Sequence, residues 1–348
     1  MFKAAQFTHR RVGLWMLGTS GLVASIIVVG GITRLTESGL SITQWDLVKG
    51  IKYPNKQEWV IEFEKYRDTP EFKMLNQQMT IEEFKSIYFW EWAHRMLGRA
   101  IGLYVAIPGL YFMYKGQMTA QMRQRTFGLI GLVGFQGALG WYMVKSGLDP
   151  KLIETSETPR VSPYRLASHL TSAFAIYCIS FYSGLQILKP HITKHPMHKY
   201  AVGLFGIAAT TAISGAFVAG LDAGLVYNTW PLMGDNIVPP KEELLHIDPV
   251  YKNFFENQTT VQFDHRMMAY TTLASTLGLF AMAKRNKVHP KVYSSVKSVL
   301  HMILLQATLG ISTLIYLVPL PLAAAHQAGS VGVLSTIMLL IHRMRLFK

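Results

Sequence analysis

Eight long apolar segments restrict this 348-residue chain to a membrane-spanning fold. Half of its residues are hydrophobic and only 16% are charged. An α-helix needs about 20 predominantly apolar residues to cross a bilayer core, and only helices or closed barrels satisfy all backbone polar groups there. We therefore predict an all-α integral membrane protein with eight transmembrane helices, near residues 13–33, 87–114, 126–145, 165–188, 201–219, 263–283, 293–318 and 322–341.

The net charge of +14 follows membrane topology and does not gather into a nucleic-acid site. Basic residues fill the tails and every second loop, where Asp and Glu are absent, whereas nearly all the acids lie in the opposite loops. Cytoplasmic or matrix-side loops carry this excess of Lys and Arg. We predict both termini on that inner side and no nucleic-acid partner. The inner basic residues are Lys3, Arg10, Arg11, Lys115, Arg123, Arg125, Lys189, Lys194, Lys199, Lys284, Arg285, Lys287, Lys291, Lys297, Arg343, Arg345 and Lys348.

The two halves of the chain carry matching landmarks in the same order. Such self-similarity is the signature of repeated structural units, and an even number of spans per repeat gives both halves one orientation. We predict two pseudo-symmetric four-helix bundles, residues 1–190 with a long outer loop at 34–85, and residues 191–348. The landmarks are ESGL from Glu37 and DAGL from Asp222, HR at His94 and His265, QGALG from Gln136 and QATLG from Gln306, and ASH and AAH ending at His169 and His326.

Four histidines within the apolar segments form two matching pairs, His94 with His169 and His265 with His326. Ionisable residues are costly in a bilayer and usually mark function. Each half offers two histidines and no clear third protein ligand, whereas zinc takes three or four. A haem iron needs only axial ligands from the protein. We therefore predict a haem between the histidines of each bundle; hydrogen-bonding core histidines are the structural alternative.

Cationic and small residues near the histidines suit a flat macrocycle with two propionates. Arg95, Arg99, Arg165 and Arg266 lie near the depth of the propionates, and snorkelling to the interface is the alternative role of these side chains. Glycines let helices or a macrocycle approach closely. We expect that role of Gly98, Gly102, Gly137, Gly140, Gly310 and Gly329.

The halves differ three residues before the first histidine of each pair. Glu91 precedes His94, whereas Gln262 precedes His265. A spacing of three places both side chains on one helix face. A carboxyl group in a low-dielectric pocket can move a proton or stabilise a developing cation. We predict that Glu91 is catalytic, with an i,i+4 ion pair to Arg95 as the alternative; the first half would be reactive and the second structural or electron-transferring.

The outer loop at 34–85 is predicted to form short amphipathic helices that cover the first bundle. Thr69 followed by Pro70 is typical of a helix start, and Thr80 with Glu83 is typical of a capping box. A loop resting on lipid headgroups is the alternative. The apolar stripe of this loop consists of Trp59, Phe63 and Tyr66.

Several long strings closely resemble haem A synthase, and the resemblance covers essentially all eight segments. The cysteine pairs in the outer loops of some bacterial members are absent, and the long first loop looks like the mitochondrial and alphaproteobacterial class. The strings are GGITRLTESGLS (Gly30 to Ser41), E-x-x-H-R (Glu91 to Arg95), FQGALGWYMVKSGL (Phe135 to Leu148), RLASH (Arg165 to His169), SGAFVAGLDAGLVYNTWP (Ser214 to Pro231), VQFDHR (Val261 to Arg266) and PLAAAHQ (Pro321 to Gln327).

The resemblance implies an oxidoreductase that converts the C8 methyl group of haem O to a formyl group by successive hydroxylation, giving haem A for cytochrome c oxidase. It implies haem b between His265 and His326 and the substrate haem between His94 and His169. Glu91 falls on the family's essential glutamate. Two other functions suit the residues: a di-haem b-type cytochrome that only carries electrons, and a transporter built from parallel repeats.

The expected partners follow from the same resemblance. They are haem O as substrate, haem O synthase, a ferredoxin-type electron donor, cytochrome c oxidase assembly factors and membrane lipid. We also expect a homo-oligomer. The expected location is the mitochondrial inner membrane, crossed several times, with the termini in the matrix; a bacterial plasma membrane with cytoplasmic termini is the alternative.

Overall fold

The computed structural model describes residues 2–46, 49–156, 158–193 and 195–347; the side chains of residues 2–9 and 49 lie outside this description, as do the predicted basic side chains of Lys3, Lys194 and Lys348. Within it, the regular elements are helices, and one isolated β-bridge joins Met233 and Asn236. The helices are α1 (Phe2–Leu35), α2 (Glu58–Arg67), α3 (Pro70–Met74), α4 (Ile81–Tyr114), α5 (Ala120–Gly147), α6 (Lys151–Glu154), α7 (Pro163–Leu188), α8 (His198–Gly220), α9 (Lys241–Leu244), α10 (Asn253–Glu256), α11 (Gln258–Arg285), α12 (Pro290–Ile315) and α13 (Leu320–Arg343), with 3₁₀ helices at Ser38–Leu40, Lys49–Ile51, Ala223–Leu225 and Val250–Lys252.

Seven helices in the described part of the chain are long and apolar enough to cross a membrane. The eighth long helix, α11, contains the predicted segment 263–283 and is not among them. Its buried residues include Gln262, Arg266, Thr272 and Thr276. Gln262 and Arg266 bond the outer loop after α8, and Thr272 contacts Thr211 on α8. These polar side chains lower the mean hydropathy of α11 although its length is sufficient to cross a membrane. Among the described residues, eight helices are therefore long enough to match the eight predicted spans, and seven of them are also sufficiently apolar.

The turn between α12 and α13 comes earlier than predicted. α12 ends at Ile315, not near residue 318, because Leu317 and Val318 have φ of 62° and 57°. A left-handed backbone cannot continue a right-handed helix, and the residue before Pro319 is also kept out of the α region. The turn returns the chain so that α13 packs along α12.

The long helices pack against one another in chain order. In the first half, α1 packs against α4 and α7, and α5 packs against α7. In the second half, α8 packs against α11, and α12 packs against α11 and α13. The boundary between the halves is formed by α1 and α7 on one side and α8 and α13 on the other. A continuous core of buried apolar side chains, from Met16 on α1 to Ile337 on α13, runs across that boundary.

The outer loop packs on protein, as its apolar stripe predicts. Trp59, Phe63 and Tyr66 contact Phe84 and Tyr88 at the outer end of α4. The rings of Tyr66 and Phe84 are stacked with centroids 5.1 Å apart. This aromatic cluster fixes α2 against α4 and holds the outer segment over the first half.

The predicted helix starts in this loop are confirmed. The side chain of Thr69 accepts a hydrogen bond from the backbone of Phe72, with Pro70 at the first helical position of α3. Thr80 and Glu83 form the predicted capping box at the start of α4. Both caps satisfy backbone N–H groups that a helix start otherwise leaves without a partner.

Glu71 is a buried carboxyl beneath this aromatic cluster. It is 5% exposed, and its Oε2 accepts a hydrogen bond of 2.9 Å from the hydroxyl of Tyr66. Burial disfavours the charged form and raises the pKa of Glu71 from its ordinary value of 4.5 to about 7, while the Tyr66 hydrogen bond acts in the opposite direction. The folded-state pKa is therefore above the unfolded one. The stability that the protonated carboxyl contributes is complete below pH 4.5 and is lost as the pH rises to about 7.

We expect Glu71→Gln to make the stability of the outer segment independent of pH over this window. In the unsubstituted chain the loss should approach ~3 kcal/mol, since one pKa unit corresponds to about 1.4 kcal/mol. Hydrogen exchange of α2 and α3, corrected for intrinsic rates at each pH, measures the difference. Protection that rises with pH in the unsubstituted chain would contradict the assignment.

Candidate functional site

The first two predicted histidines lie opposite each other between α4 and α7. The ring centroids of His94 and His169 are 6.5 Å apart, with the ring planes at 64°. Each ring rests against a glycine of a neighbouring helix. A Cβ added to Gly30 on α1 would lie 3.1 Å from His94 Nε2, and one added to Gly140 on α5 would lie 3.0 Å from His169 Cε1. The four long helices of the first half therefore meet at this pair.

The other two predicted histidines repeat this arrangement between α11 and α13. The ring centroids of His265 and His326 are 6.4 Å apart, with the ring planes at 90°. A Cβ added to Gly215 on α8 would lie 3.1 Å from His265 Cε1, and one added to Gly310 on α12 would lie 2.7 Å from His326 Cε1. The structure thus brings together the two pairs that the repeat predicted.

The separation in both pairs fits two axial ligands of one iron. A metal–nitrogen bond of about 2 Å puts the ring centroid ~3 Å from the metal, so two rings on opposite sides are ~6 Å apart. The observed 6.5 Å and 6.4 Å are close to that value. The described residues contain no group of three or more His, Cys, Asp or Glu placed to hold a bare metal ion. The two sites therefore suit a metal that brings its own equatorial ligands, as haem iron does.

Two of the four glycines beside the histidines were not predicted. Sequence reasoning named Gly140 and Gly310 but passed over Gly30 and Gly215. Their signal was available, because each stands seven residues before a landmark, Glu37 or Asp222. By contrast, a Cβ added to the predicted Gly137 meets nothing within 4 Å, so close approach does not require that glycine.

We expect Gly310→Ala to displace His326 and to release the group held at the second site. A contact of 2.7 Å forces the imidazole to move, although alanine favours a helix over glycine by about 1 kcal/mol. Gly137→Ala on α5 is the matched control, since the new methyl group meets open space. Absorbance of the bound cofactor per purified chain measures the outcome. Full occupancy in Gly310→Ala would show that the imidazole position is not critical.

Corresponding glutamines on α5 and α12 hold the second histidine of each pair. Gln136 Nε2 donates to the backbone oxygen of His169 at 3.0 Å and also lies 3.3 Å from His169 Nε2. Gln306 Nε2 donates to the backbone oxygen of His326 at 2.9 Å. The two glutamines of the repeat therefore make the same backbone contact, and Gln136 in the first half also contacts the imidazole of His169.

Ser214 is a site residue that sequence reasoning missed. Its Oγ lies 2.8 Å from Nδ1 of His265 and donates to the backbone oxygen of Thr211, also at 2.8 Å. Counting from the ESGL and DAGL landmarks, Val29 occupies the corresponding position in the first half. A serine in an apolar helix gives no sequence signal of its own beyond its position before Gly215.

Glu91 is buried and forms the ion pair that was the alternative to a catalytic role. It is 4% exposed, and its Oε1 accepts from Arg95 Nε at 2.5 Å. The same guanidinium donates to the backbone oxygens of Ile42 and Gln44, both at 2.8 Å, and lies over the ring of Trp45. Arg95 therefore ties Glu91 to the outer segment that follows α1.

Arg266 binds the corresponding outer segment of the second half. It donates to the backbone oxygens of Tyr227, Thr229 and Leu232 at 2.9–3.2 Å. Gln262 donates to Tyr227 as well, at 3.0 Å. The second half thus keeps the arginine clamp and replaces the carboxylate by an amide that bonds the loop directly.

The other two predicted arginines also contact backbone near the outer ends of helices. Arg99 donates to the backbone oxygen of Asp46 at 2.6 Å. Arg165 donates to the backbone oxygen of Tyr142 at 2.7 Å and lies 3.7 Å over its ring. Backbone contacts distant in sequence thus engage all four arginines, with a loop for Arg95, Arg99 and Arg266 and with helix α5 for Arg165. Residue type and depth alone do not reveal these contacts.

Buried polar atoms without a hydrogen-bond partner gather at the two sites. Burying a polar group without a partner costs free energy, so such atoms mark places where a further group is accommodated. Within the described residues those at the sites are Gln136 Oε1, His169 Nδ1, Gln262 Oε1, Arg266 Nε, Gln306 Oε1 and His326 Nδ1.

Residues 13–338 match the family model described as cytochrome oxidase assembly protein, COX15-CtaA. The mouse protein named heme A synthase COX15 is 48% identical over 97% of this chain and 83% of its own length. A heme A synthase of Nitrosospira multiformis is 42% identical over 97% of this chain and 94% of its own.

A further relative has an additional module. The Schizosaccharomyces pombe protein named heme A synthase-mitochondrial ferredoxin fusion protein is 44% identical over 96% of this chain and 60% of its own length. The family match covers both histidine pairs and the Glu91 and Gln262 positions. The chain therefore belongs to the COX15-CtaA family of cytochrome oxidase assembly proteins.

Proposed function

We propose that this chain is a haem A synthase, which oxidises the C8 methyl group of haem O to a formyl group and so supplies haem A for cytochrome c oxidase. The carrying observation is membership in a family whose mitochondrial and bacterial members bear that name over nearly the whole chain. The two facing histidine pairs add a physical reason, because they suit haem. No comparison supports the electron-carrying cytochrome or the transporter.

We propose two pseudo-symmetric bundles of four membrane-spanning helices, residues 1–190 and 191–348, with α11 as the eighth span. Equivalent backbone geometry supports the symmetry: Glu37 and Asp222 have φ of 52° and 54°, and each precedes a 3₁₀ helix. The glycines beside the histidines are also equivalent. Arg34 of α1 pairs with Asp222 at 2.7 Å across the boundary between the bundles.

The first bundle would receive haem O between His94 and His169, and the second would hold haem b between His265 and His326. Haem b would supply one-electron redox chemistry when bound. The fit rests on the ring separations of 6.5 Å and 6.4 Å. The role of the chain is to orient four imidazoles and to exclude water from the substrate methyl group.

Glu91 is the proposed catalytic residue of the first bundle. Each of two successive hydroxylations would insert one oxygen atom of dioxygen into a C–H bond of the methyl group, while two protons and two electrons from the proposed ferredoxin-type donor reduce the other oxygen atom to water. Loss of water from the resulting diol then leaves the formyl group. The Glu91 carboxylate would accept a proton released at the methyl carbon, or stabilise positive charge there. Its contact with Arg95 holds the carboxylate in position. Gln262 has no corresponding acid-base capacity.

Arg95, Arg99, Arg165 and Arg266 are the proposed partners of the haem propionates. Their position near the outer ends of the bundles supports this role, and Arg266 Nε is buried without a partner among the described residues. Guanidinium groups bind carboxylates with several parallel N–H donors. Arg95, Arg99 and Arg266 would then link a propionate to the outer segments whose carbonyl groups they contact, and Arg165 would link one to the end of α5.

We propose the mitochondrial inner membrane as the location, with the termini in the matrix, or the plasma membrane of a bacterium with cytoplasmic termini. The basic inner loops support this orientation. The ferredoxin fused to the Schizosaccharomyces pombe relative supports a ferredoxin-type electron donor. Haem O synthase, cytochrome c oxidase assembly factors, membrane lipid and further copies of the chain are the other proposed partners.

The function is tested in a membrane that makes haem O and no haem A. Expression of this chain should make haem A appear in an acid–acetone extract analysed by mass spectrometry. Continued absence of haem A, with the chain folded in the membrane and a compatible electron donor supplied, would contradict the proposal.

A further inference from the structure

The hydroxyl group of Ser214 and the backbone oxygen of Thr211 both hydrogen-bond His265, and together they favour a proton on its Nδ1. A serine hydroxyl has one proton, and Ser214 directs it to the backbone oxygen of Thr211 at 2.8 Å. Its oxygen can then only accept from His265 Nδ1, which lies 2.8 Å away. With the proton on Nδ1, the lone pair of the neutral imidazole is on Nε2, the nitrogen free to bind a metal.

His94 lacks this arrangement in the first half. The corresponding position is Val29, which has no polar side-chain atom, and none of the described residues hydrogen-bonds the imidazole of His94. The ring is also turned differently: His94 places Nε2 against Gly30, whereas His265 places Cε1 against Gly215.

The second histidine of each pair, His169 or His326, also has different hydrogen-bond surroundings in the two halves. Gln136 Nε2 lies 3.3 Å from Nε2 of His169, so a ligand metal must compete with an amide at that nitrogen. Gln306 instead contacts the backbone oxygen of His326. Among the described residues, Nδ1 has no hydrogen-bond partner in either His169 or His326.

We infer that Ser214 makes the second site a retaining site, whereas Val29 and Gln136 leave the first site exchangeable. The inference rests on the proposed function and deepens it: haem b must stay bound while haem O and haem A enter and leave. Hydrogen-bond partners of ligating histidines change metal affinity by about 10–100-fold. Ser214 is therefore a positioning residue that acts through His265.

Haem transfer from the purified, haem-loaded protein to excess apomyoglobin tests the inference. Ser214→Ala should release haem b ~10–100-fold faster than the unsubstituted chain, and Ser214→Thr, which keeps the hydroxyl, should restore slow release. The matched control is Ser180→Ala, because Ser180 is fully buried and bonds only carbonyls of its own helix. Release from Ser214→Ala at the unsubstituted rate would overturn the role of Ser214.

Two further variants separate this inference from the function on which it rests. Val29→Ser should slow the release of haem O added to the first site. An unchanged rate would overturn the inference that Val29 leaves the first site exchangeable. His265→Ala tests the haem assignment itself. If that variant keeps haem b, the proposed ligand set fails; if it loses haem b while Ser214→Ala releases it normally, only the inference about Ser214 fails.

Discussion

His265→Ala and His326→Ala are each expected to abolish the haem b absorbance of the purified protein. Each variant removes one of two rings whose centroids are 6.4 Å apart, so only one imidazole would remain to hold the haem. His94→Ala and His169→Ala should instead retain haem b and lose the haem O bound in the first bundle. The reduced-minus-oxidised spectrum and extracted haem per chain distinguish these outcomes.

His301→Ala is the matched control for these variants. His301 lies on α12 and is exposed, away from either pair, so its loss should leave the spectrum unchanged. A haem b spectrum that survives in both His265→Ala and His326→Ala would reject those ligands. Loss of haem b in His94→Ala would indicate that haem b is bound in the first bundle, which contradicts its assignment to the second.

Glu91→Gln is expected to stop haem A formation while the protein stays folded and keeps haem b. The amide oxygen can still accept from Arg95 Nε, so the contacts of Arg95 with Ile42 and Gln44 should persist. The substitution removes the negative charge and the ability to accept a proton. A positioned general acid or base contributes about 10²–10⁴-fold to a reaction rate. Haem O should accumulate in the extract.

Glu71→Gln is the matched control, since it makes the same chemical change at another buried carboxyl. Glu71 lies in the outer segment and contacts Tyr66, so its replacement should leave haem A output normal. Normal output from Glu91→Gln would contradict the catalytic role and leave Glu91 as the partner of Arg95 in a structural ion pair.

The histidine pairs were accessible from the sequence because the repeat supplied information that single residues do not. One histidine in an apolar helix is as compatible with a core hydrogen bond as with ligation. The equal order of His94, His169, His265 and His326 among matching landmarks indicated which residues should face each other. The ring separations of 6.5 Å and 6.4 Å agree with that pairing.

The partners of the arginines were not accessible in the same way. Arg95 and Arg266 contact carbonyl oxygens of loops that are 51 and 34 residues away along the chain. Such contacts depend on how a loop without regular structure folds back over a helix end. Sequence position predicted their depth in the membrane, but the loop contacts depend on tertiary packing.

Predictions from hydropathy were wrong where tertiary packing determines the structure. α11 buries Gln262, Thr272 and Thr276 within the protein, so its average composition understates how well it fits a bundle. The end of α12 was placed too late because Val318 is apolar, and apolarity gives no warning of a left-handed turn. Ser214 was missed because its function depends on one hydrogen bond to a helix 51 residues away.

The haem composition of the purified protein tests the central claim most directly, since it shows which chemistry the first bundle performs. Extraction and mass analysis should find haem B together with haem O, a hydroxylated haem O or haem A. Haem B alone, at two per chain, would contradict the account and identify an electron-carrying cytochrome in which Glu91 is a structural acid.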